Sequence, residues 1–154
     1  MLRISKLTDY ATVVLAALAE SPERLRTATA LAERTHIAAP TVSKLLKQLH
    51  RAGLLTSTRG LRGGYQLALP PARITVAAIL DALEGPVALT GCSSGHAQCG
   101  IEHHCRVAPV WQRLNIALRR ALSEVTLAEL AGVDPVQPRL PMLEREIKFA
   151  ARHD

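Results

Sequence analysis

The chain has 154 residues and a formal net charge of +6; 48% of its residues are hydrophobic and only 3% are aromatic. This length fits one domain, or one domain with a short appendage. The longest apolar run, residues 13–19, is far shorter than the roughly 20 residues of a spanning helix, which excludes a membrane-spanning role. The N-terminus shows no secretion signal, so we expect a cytoplasmic protein without a membrane partner.

The positive charge is concentrated in the first half of the chain. Residues 1–70 contain 10 basic and 4 acidic residues, whereas residues 71–154 contain 9 of each. This asymmetry is typical of a polyanion-binding module joined to a neutral one, although a basic surface also serves solubility. We therefore predict that the first half binds nucleic acid.

The spacing of apolar residues predicts three helices in the first third of the chain. The first covers residues 9–19 with Thr8 as its N-cap, and the second begins after Thr27 as its cap. The third opens with Pro40 and ends at Gly53, because proline suits a first helical turn and glycine a helix end. The predicted inward positions are Ala11, Val14, Leu15 and Leu18, then Ala28, Leu31 and Ala32, then Val42, Leu45, Leu46 and Leu49.

Two short strands and a fourth helix follow. Residues 54–58 and 65–69 are predicted strands, and the glycines between them mark a flexible turn. Thr75 caps a helix that ends near Gly85. Its predicted inward positions are Val76, Ile79, Leu80 and Leu83.

The last third of the chain contains a long predicted helix. Thr126 and Glu129, at the end of this helix, have the spacing of a capping box, which starts another turn or two. A tail with three prolines precedes a possible short helix over residues 143–151. The apolar stripe of the long helix consists of Trp111, Leu114, Leu118, Leu122 and Val125.

The second and third helices form a helix-turn-helix arrangement. The turn position usually occupied by glycine is His36, and histidine is enriched among non-glycine residues with positive φ. Polar and cationic side chains occupy the face of the third helix opposite its leucines, which suits a recognition helix in the major groove. The alternative is an ordinary solvated face. The residues of this face are Thr41, Ser43, Lys44, Lys47, Gln48 and Arg51.

The hairpin adds a second candidate contact to DNA. Arg59 and Arg62 lie in its glycine-rich turn, from which guanidinium groups can reach phosphates or a narrow minor groove. The predicted fold is therefore mainly α with a small β-hairpin wing, a winged helix-turn-helix. Its predicted partner is double-stranded operator DNA.

All three cysteines, Cys92, Cys99 and Cys105, lie in one segment without helical or strand periodicity. Their spacing, C-x6-C-x5-C, contains no CxxC pair and fits ordinary zinc knuckles and thioredoxin-type motifs poorly. An iron–sulfur cluster on three thiolates would hold such a segment in place, with a fourth ligand from a histidine, a carboxylate or a partner subunit. Zinc with three cysteines and one histidine, a reversible disulfide and three unrelated thiols are the alternatives. The histidines of the segment are His96, His103 and His104.

Several motifs together resemble one known family. They are the opening MLRISKLTDYA, RGLRGGY at residues 59–65, LEGP at 83–86 and the three-cysteine segment before Trp111. Over residues 1–132 the sequence resembles the Rrf family of winged helix-turn-helix regulators, and within it the IscR-type regulators of SUF-system iron–sulfur cluster assembly. The resemblance implies a homodimer in which the long helix, residues 107–125, crosses its partner. It also implies one cluster per subunit, [2Fe-2S] or [4Fe-4S], supplied by the iron–sulfur assembly machinery, and cluster-dependent transcriptional control.

The resemblance also assigns ligand roles. The three cysteines match the family's ligand positions. In IscR-type members a histidine three residues after the last cysteine completes the set, but that position is Ala108 here. The NsrR branch instead uses an aspartate near the N-terminus of the other subunit, which matches Asp9, and we rank His104 second. Where IscR-type members have a glutamate in the recognition helix this chain has Ser43, so Thr41 and Ser43 become the predicted base readers.

The predicted division of the chain has four parts: a winged helix-turn-helix domain at 1–86, a cluster-binding loop at 87–106, a dimerisation helix region at 107–132 and a proline-containing tail at 133–154. The predicted function is repression of iron–sulfur assembly genes. The alternatives are a zinc- or thiol-based regulator of redox or nitrosative stress on the same scaffold, and an iron–sulfur carrier or electron-transfer protein. An enzyme is not predicted, because the sequence has no paired carboxylates, nucleophile elbow, P-loop or HExxH motif.

Overall fold

The computed structural model describes residues 4–91 and 104–133, which form a mainly helical structure with one antiparallel hairpin, so the predicted fold class is confirmed. In chain order the elements are α1 (Lys6–Ala19), α2 (Ala28–Thr35), α3 (Ala39–Arg51), β1 (Leu55–Thr58), β2 (Gly64–Leu67), α4 (Val76–Glu84), α5 (Ala108–Glu124) and α6 (Leu127–Leu130). A short 3₁₀ helix, Pro71–Arg73, lies between β2 and α4. The helix predicted over residues 143–151 lies outside the described residues.

The core forms where the apolar stripes of α1 and α3 meet. All the inward positions predicted for these two helices are at most 1% exposed. The second helix contributes less than predicted, because only Leu31 is fully buried while Ala28 and Ala32 pack at the margin. Full burial of one leucine stabilises a fold by about 1.5–3 kcal/mol, so these stripes hold α1, α2 and α3 in a fixed arrangement.

Thr8, predicted as the N-cap of α1, is instead a buried residue of its first turn. Ser5 is the cap, and its Oγ accepts a hydrogen bond from the Thr8 N–H at 3.2 Å. The Thr8 side chain is 1% exposed, and its hydroxyl donates to Oε1 of Glu84 at the end of α4. The prediction was wrong because Ser5 and Thr8 are both good capping residues, and only the contact with α4 draws Thr8 inward.

The turn between α2 and α3 agrees with the predicted helix-turn-helix geometry. Thr27 caps α2, with its Oγ1 accepting from the Ala30 N–H at 3.1 Å. His36 ends α2 at φ 56° and ψ 26°, which is the left-handed conformation predicted for this position. Ile37 then packs into the core and so attaches the turn to it. The backbone can therefore reverse within a few residues before α3 begins.

The wing is a two-stranded sheet with an additional bridge to the segment before α2. In β1 and β2, Leu55 pairs with Leu67 and Thr58 with Gly64. Arg26 and Tyr65 exchange two backbone hydrogen bonds of 2.9 Å each. A Cβ on Gly64 would lie 2.7 Å from the Arg26 carbonyl oxygen, so glycine is required for this close approach. The bridge attaches the wing to the helix-turn-helix.

After α5 the chain returns to the N-terminal core. Thr126 and Glu129 form the predicted capping box at the start of α6. The Leu127 N–H donates to the Ile74 carbonyl at 2.7 Å, and the Val76 N–H donates to the Val125 carbonyl at 2.9 Å. Leu127 is fully buried in the core, where α6 packs against α1 and the 3₁₀ helix, although the sequence division placed it in the dimerisation region. The end of α5 is thereby fixed to the start of α4.

The long helix α5 contacts α4 but leaves most of its apolar stripe uncovered. Trp111 is 41% exposed and Leu114 is 48% exposed, and only Ala108 of this helix is buried. Arg119 forms a bidentate ion pair with Asp81 of α4: its Nη1 lies 3.0 Å from Oδ1 and its Nη2 lies 2.5 Å from Oδ2. Within residues 4–91 and 104–133, no helix has both the length and the apolar character needed to span a membrane.

Candidate nucleic-acid interface and cysteine segment

The outer face of α3 carries the predicted DNA-contacting residues. Lys44, Lys47 and Arg51 are exposed, and none of them forms a salt bridge within the described part of the chain. Thr41 and Ser43 are partly exposed near the start of the helix. The leucine stripe on the opposite face is buried, so the rotation of α3 about its axis is fixed by the core. The helix therefore presents cations and short hydroxyl side chains to solvent on one side.

The wing turn presents two more cations. Arg59 and Arg62 are exposed, and the turn between them is closed by a hydrogen bond of 2.9 Å from the Gly63 N–H to the Gly60 carbonyl. A Cβ on Gly63 would lie only 2.2 Å from the Thr58 carbonyl oxygen. Glycine is therefore needed for the turn to fold back this tightly. The two arginines stand on a short, well-defined loop.

His50 connects α3 to the wing and was not singled out by sequence reasoning. Its Nδ1 lies 2.9 Å from the Leu55 carbonyl oxygen, which requires the proton on Nδ1 if the pair is hydrogen-bonded. Its Nε2 lies 3.5 Å from Ser57 Oγ, and its ring meets Tyr65 edge-on at a centroid distance of 6.4 Å. These contacts fix the wing relative to the last turn of α3. A histidine at a helix end has no periodic signal that distinguishes this role.

The cationic residues of α3 and of the wing belong to one connected unit of the fold. Phosphate contacts by such side chains give affinity independent of base sequence, whereas short hydroxyl side chains in the major groove can read base edges. The arrangement thus combines the two kinds of contact that a DNA-binding module needs.

The cysteine segment is only partly within the described residues. Cys92, Cys99, His96 and His103 lie outside them. Cys105 is a free, partly buried cysteine close to the start of α5, and His104 beside it is exposed. Among residues 4–91 and 104–133, no three potential metal ligands come together. The proposed ligand set is therefore not tested by the geometry.

Both ends of this segment are attached to α5. On the N-terminal side, the Leu89 N–H donates to Oδ1 of Asn115 at 3.1 Å. On the C-terminal side, Cys105 is followed closely by Ala108, which is 5% exposed and packs inward. A side chain at that position faces the protein interior.

Asp9 occupies the first turn of α1. It is exposed, and its carboxylate has no hydrogen-bond or ion-pair partner within the described residues. Its neighbours Ile4, Ser5 and Lys6 line a shallow surface depression with it. The nearby Lys6 ammonium lies 5.3 Å from the centre of the Tyr10 ring. The carboxylate is therefore accessible from solvent.

The helix-turn-helix packed on the core, the basic outer face of α3 and the arginine-bearing wing define a winged helix-turn-helix regulator of transcription. The chain belongs to the Rrf2 family, described as iron-dependent transcriptional regulators, whose model matches residues 4–132. This match covers every element described above. It confirms the family suggested by the sequence motifs.

Named relatives agree with this assignment. The protein rrf2 of Nitratidesulfovibrio vulgaris is 35% identical over 100 residues, which are 65% of this chain and 67% of that protein. The regulator IscR of Vibrio atlanticus is 32% identical over 100 residues, which are 65% of this chain and 57% of IscR.

Two solved structures resemble the whole fold. CymR, the global cysteine regulator of B. subtilis, has a TM-score of 0.66 at 27% identity and covers 87% of this chain and 99% of CymR. IscR of T. potens has a TM-score of 0.64 at 26% identity and covers 93% of this chain and 96% of that chain. The same fold therefore occurs in regulators with different names.

Proposed function

We propose that this chain is a homodimeric repressor of iron–sulfur assembly genes that binds operator DNA and senses an iron–sulfur cluster. One observation supports it above the others: all three cysteines lie in the single connection between α4 and α5. The iron dependence in the family's description supports the same reading. Residues 1–86 would read DNA, 87–106 would hold the cluster and 107–132 would form the dimer, with 133–154 as a tail.

The donor set fits a cluster. Thiolates are the usual ligands of iron–sulfur centres, and three of them are available in one segment with glycine and serine between them. Cys92, Cys99 and Cys105 would bind it. Asp9 of the partner subunit is our first candidate for the fourth ligand, because its carboxylate is exposed and unpartnered in the described residues, and His104 is the second.

The residues of this chain suggest how the segment could act on DNA binding. When bound, the cluster would link the cysteines and respond to iron supply or oxidation. The Leu89–Asn115 hydrogen bond and the Asp81–Arg119 ion pair hold α5 against the segment and against α4. A rearrangement of the segment would therefore shift α5 relative to α4. In a dimer this shift changes the spacing of the two recognition helices, which must match half-sites about 34 Å apart.

The decisive experiment is anaerobic purification with a visible absorption spectrum and assays of iron, zinc and acid-labile sulfide on one sample. A brown protein with matching iron and sulfide supports the proposal. The Cys99→Ala variant should then lose colour and bind operator DNA with altered affinity in a gel shift, while Ser94→Ala, in the same segment, should change neither. Unchanged DNA affinity in cluster-free Cys99→Ala protein would contradict the coupling.

A zinc- or thiol-based regulator is the second candidate. Its support is Cys105, a free and partly buried thiol, together with the three histidines of the segment. A colourless protein with one zinc per chain would select a Cys₃His site. A metal-free protein would select a thiol switch. An iron–sulfur carrier is less well supported, because that role leaves the basic face of α3 and the wing without a use.

A further inference from the structure

We propose that Leu61, at the tip of the wing, inserts into the DNA minor groove as an apolar wedge between Arg59 and Arg62. The inference rests on DNA binding by the winged module and does not depend on how the cysteine segment senses its signal. The side chain of Leu61 is fully exposed, at 108% of its reference area. No other large apolar residue within 4–91 and 104–133 is exposed above 61%.

The turn holds this leucine in a defined position. Leu61 and Arg62 are the two central residues of the turn closed between Gly60 and Gly63. The crowding around Gly63 and the bridge from Arg26 to β2 limit how far the tip can move relative to α3. The leucine therefore projects outward from an anchored hairpin. This geometry allows it to enter the minor groove while α3 lies in the neighbouring major groove.

The charges around Leu61 indicate what it contacts. A lone exposed leucine on a protein surface is common and needs no explanation. Here, however, it stands between two exposed arginines that have no salt-bridge partner in the described residues. These cations attract the phosphates on both sides of a groove about 6 Å wide, whose sugar walls offer apolar contacts to a leucine. Apolar side chains that enter the minor groove commonly unstack a base step and bend the duplex.

The wedge would add sequence preference at base pairs that α3 does not touch. Flexible pyrimidine–purine steps unstack at lower cost than stiff steps, so binding should be strongest where such a step lies beneath the wing. Removing the leucine should therefore weaken binding most on sites with a flexible step. Removing either arginine should weaken binding on all sites, because phosphates are present everywhere.

The test uses the full-length chain, purified anaerobically, and duplexes selected by it from a random pool. The base beneath the wing, located by footprinting, is replaced by the fluorescent stacking reporter 2-aminopurine. We expect Leu61→Ala to bind about tenfold more weakly, as expected for loss of one buried apolar contact, and to remove the fluorescence increase. Leu61→Met should retain both properties, since methionine is also apolar and of similar volume.

Two control variants separate the wedge from charge and from folding. Arg62→Ala should keep the fluorescence increase and reduce the salt dependence of binding by about one unit of slope. Leu69→Ala changes an exposed leucine beyond the wing and should match the wild type. Equal affinity and equal fluorescence for Leu61→Ala and wild type would overturn the inference while leaving the DNA-binding function intact. Failure of the wild type to select any duplex would overturn the DNA contact itself.

Discussion

At the residue scale, the connection between Thr8 and Glu84 shows how two distant helix ends are fixed together. Oε1 of Glu84 accepts from the Thr8 hydroxyl and, at 3.1 Å, from the Ser5 N–H. These bonds join the start of α1, which carries Asp9, to the end of α4, which leads into the cysteine segment. The Thr8 hydroxyl holds the pKa of Glu84 below its usual range, with a further contribution from Ser5.

We expect Thr8→Val to destabilise the fold by about 0.5–1.5 kcal/mol, the usual value of one hydrogen bond. Valine preserves the shape of the buried side chain, so the loss reports the hydroxyl. Chemical denaturation at neutral pH measures it. Thr12→Val is a matched control, because the Thr12 hydroxyl bonds only to its own helix, at the Asp9 carbonyl. An equal loss in the two variants would contradict a special role for the Thr8–Glu84 contact.

The stability difference should also depend on pH. Because the pKa of Glu84 is lower in the folded chain than in the unfolded chain, its contribution is fully present above the unfolded pKa. It is lost as the pH falls through the folded pKa. The destabilisation by Thr8→Val should therefore shrink in acid, and denaturation at a series of acidic pH values measures this. A difference that stays constant through this range would show that ionised Glu84 is not the partner.

A second residue-scale prediction concerns Gly64. We expect Gly64→Ala to disrupt the bridge between the wing and Arg26, because the new methyl group would meet the Arg26 backbone at 2.7 to 3.0 Å. DNA affinity should fall while the helical core stays folded, since the core residues of α1 and α3 are not involved. Fluorescence anisotropy and circular dichroism measure these two properties. Leu69→Ala, at an exposed residue beyond the wing, serves as the control.

At the element scale, apolar side chains at the start of α5 and just before it are left exposed by the described residues. They are Val107, Val110, Trp111 and Leu114, each between 41% and 57% exposed. A helix whose apolar side faces solvent is normally stabilised by a partner surface. The homodimer that we propose would provide one, and these residues predict where that contact lies.

We expect Leu114→Asp to convert the dimer to a monomer, because a carboxylate buried in an apolar interface is strongly unfavourable. The monomer should stay folded, since Leu114 does not belong to the chain's own core. Sedimentation equilibrium measures the mass. Gln112→Asp introduces the same charge on the same helix off the apolar stripe and should remain dimeric. A dimeric Leu114→Asp protein would place the interface elsewhere.

At the scale of the whole molecule, contacts of α5 with α4 and with Leu89 connect the start of the cysteine segment to the DNA-binding module. The bonds of Asp81 to Arg119, which raise the pKa of the guanidinium, are partly exposed and contribute little to stability. Their role would be geometric, because they fix the angle between α4 and α5. Such a pair can transmit a change without being essential for folding.

We expect Arg119→Ala to lower stability by less than about 1 kcal/mol while reducing the difference in DNA affinity between iron-loaded and iron-free protein. Thermal denaturation and gel shifts on both forms test the two parts separately. Arg120→Ala removes an exposed cation from the same turn and should preserve the full difference. If Arg119→Ala responds to iron as the wild type does, α5 does not relay the signal through Asp81.

Much of the fold could be predicted from the sequence because its local signals agree with one another. The stripes of α1 and α3, the caps at Thr27 and Thr75 and the capping box at Thr126 all depend on neighbours within a few residues. The positive φ of His36 was predicted for the same reason. The family motifs added the class of function, which the Rrf2 match confirmed.

Other features depended on residues far apart in the sequence. Thr8 resembled a cap, yet it is drawn inward by Glu84, which lies 76 residues later. The role of His50 depends on the position of the wing, and the pairing of Arg26 with Tyr65 links segments without any shared pattern. A capping residue or a histidine has the same local signature in either role, so local reasoning could not distinguish them.

The sequence by itself determined the helical class, the helix-turn-helix and the wing, because periodicity, capping and turn chemistry act over short distances. The tertiary structure decided which side of α5 remains exposed, where Leu61 projects and which contacts attach the cysteine segment to α5. These depend on how elements pack in space, and packing is set by shape and burial across the whole chain.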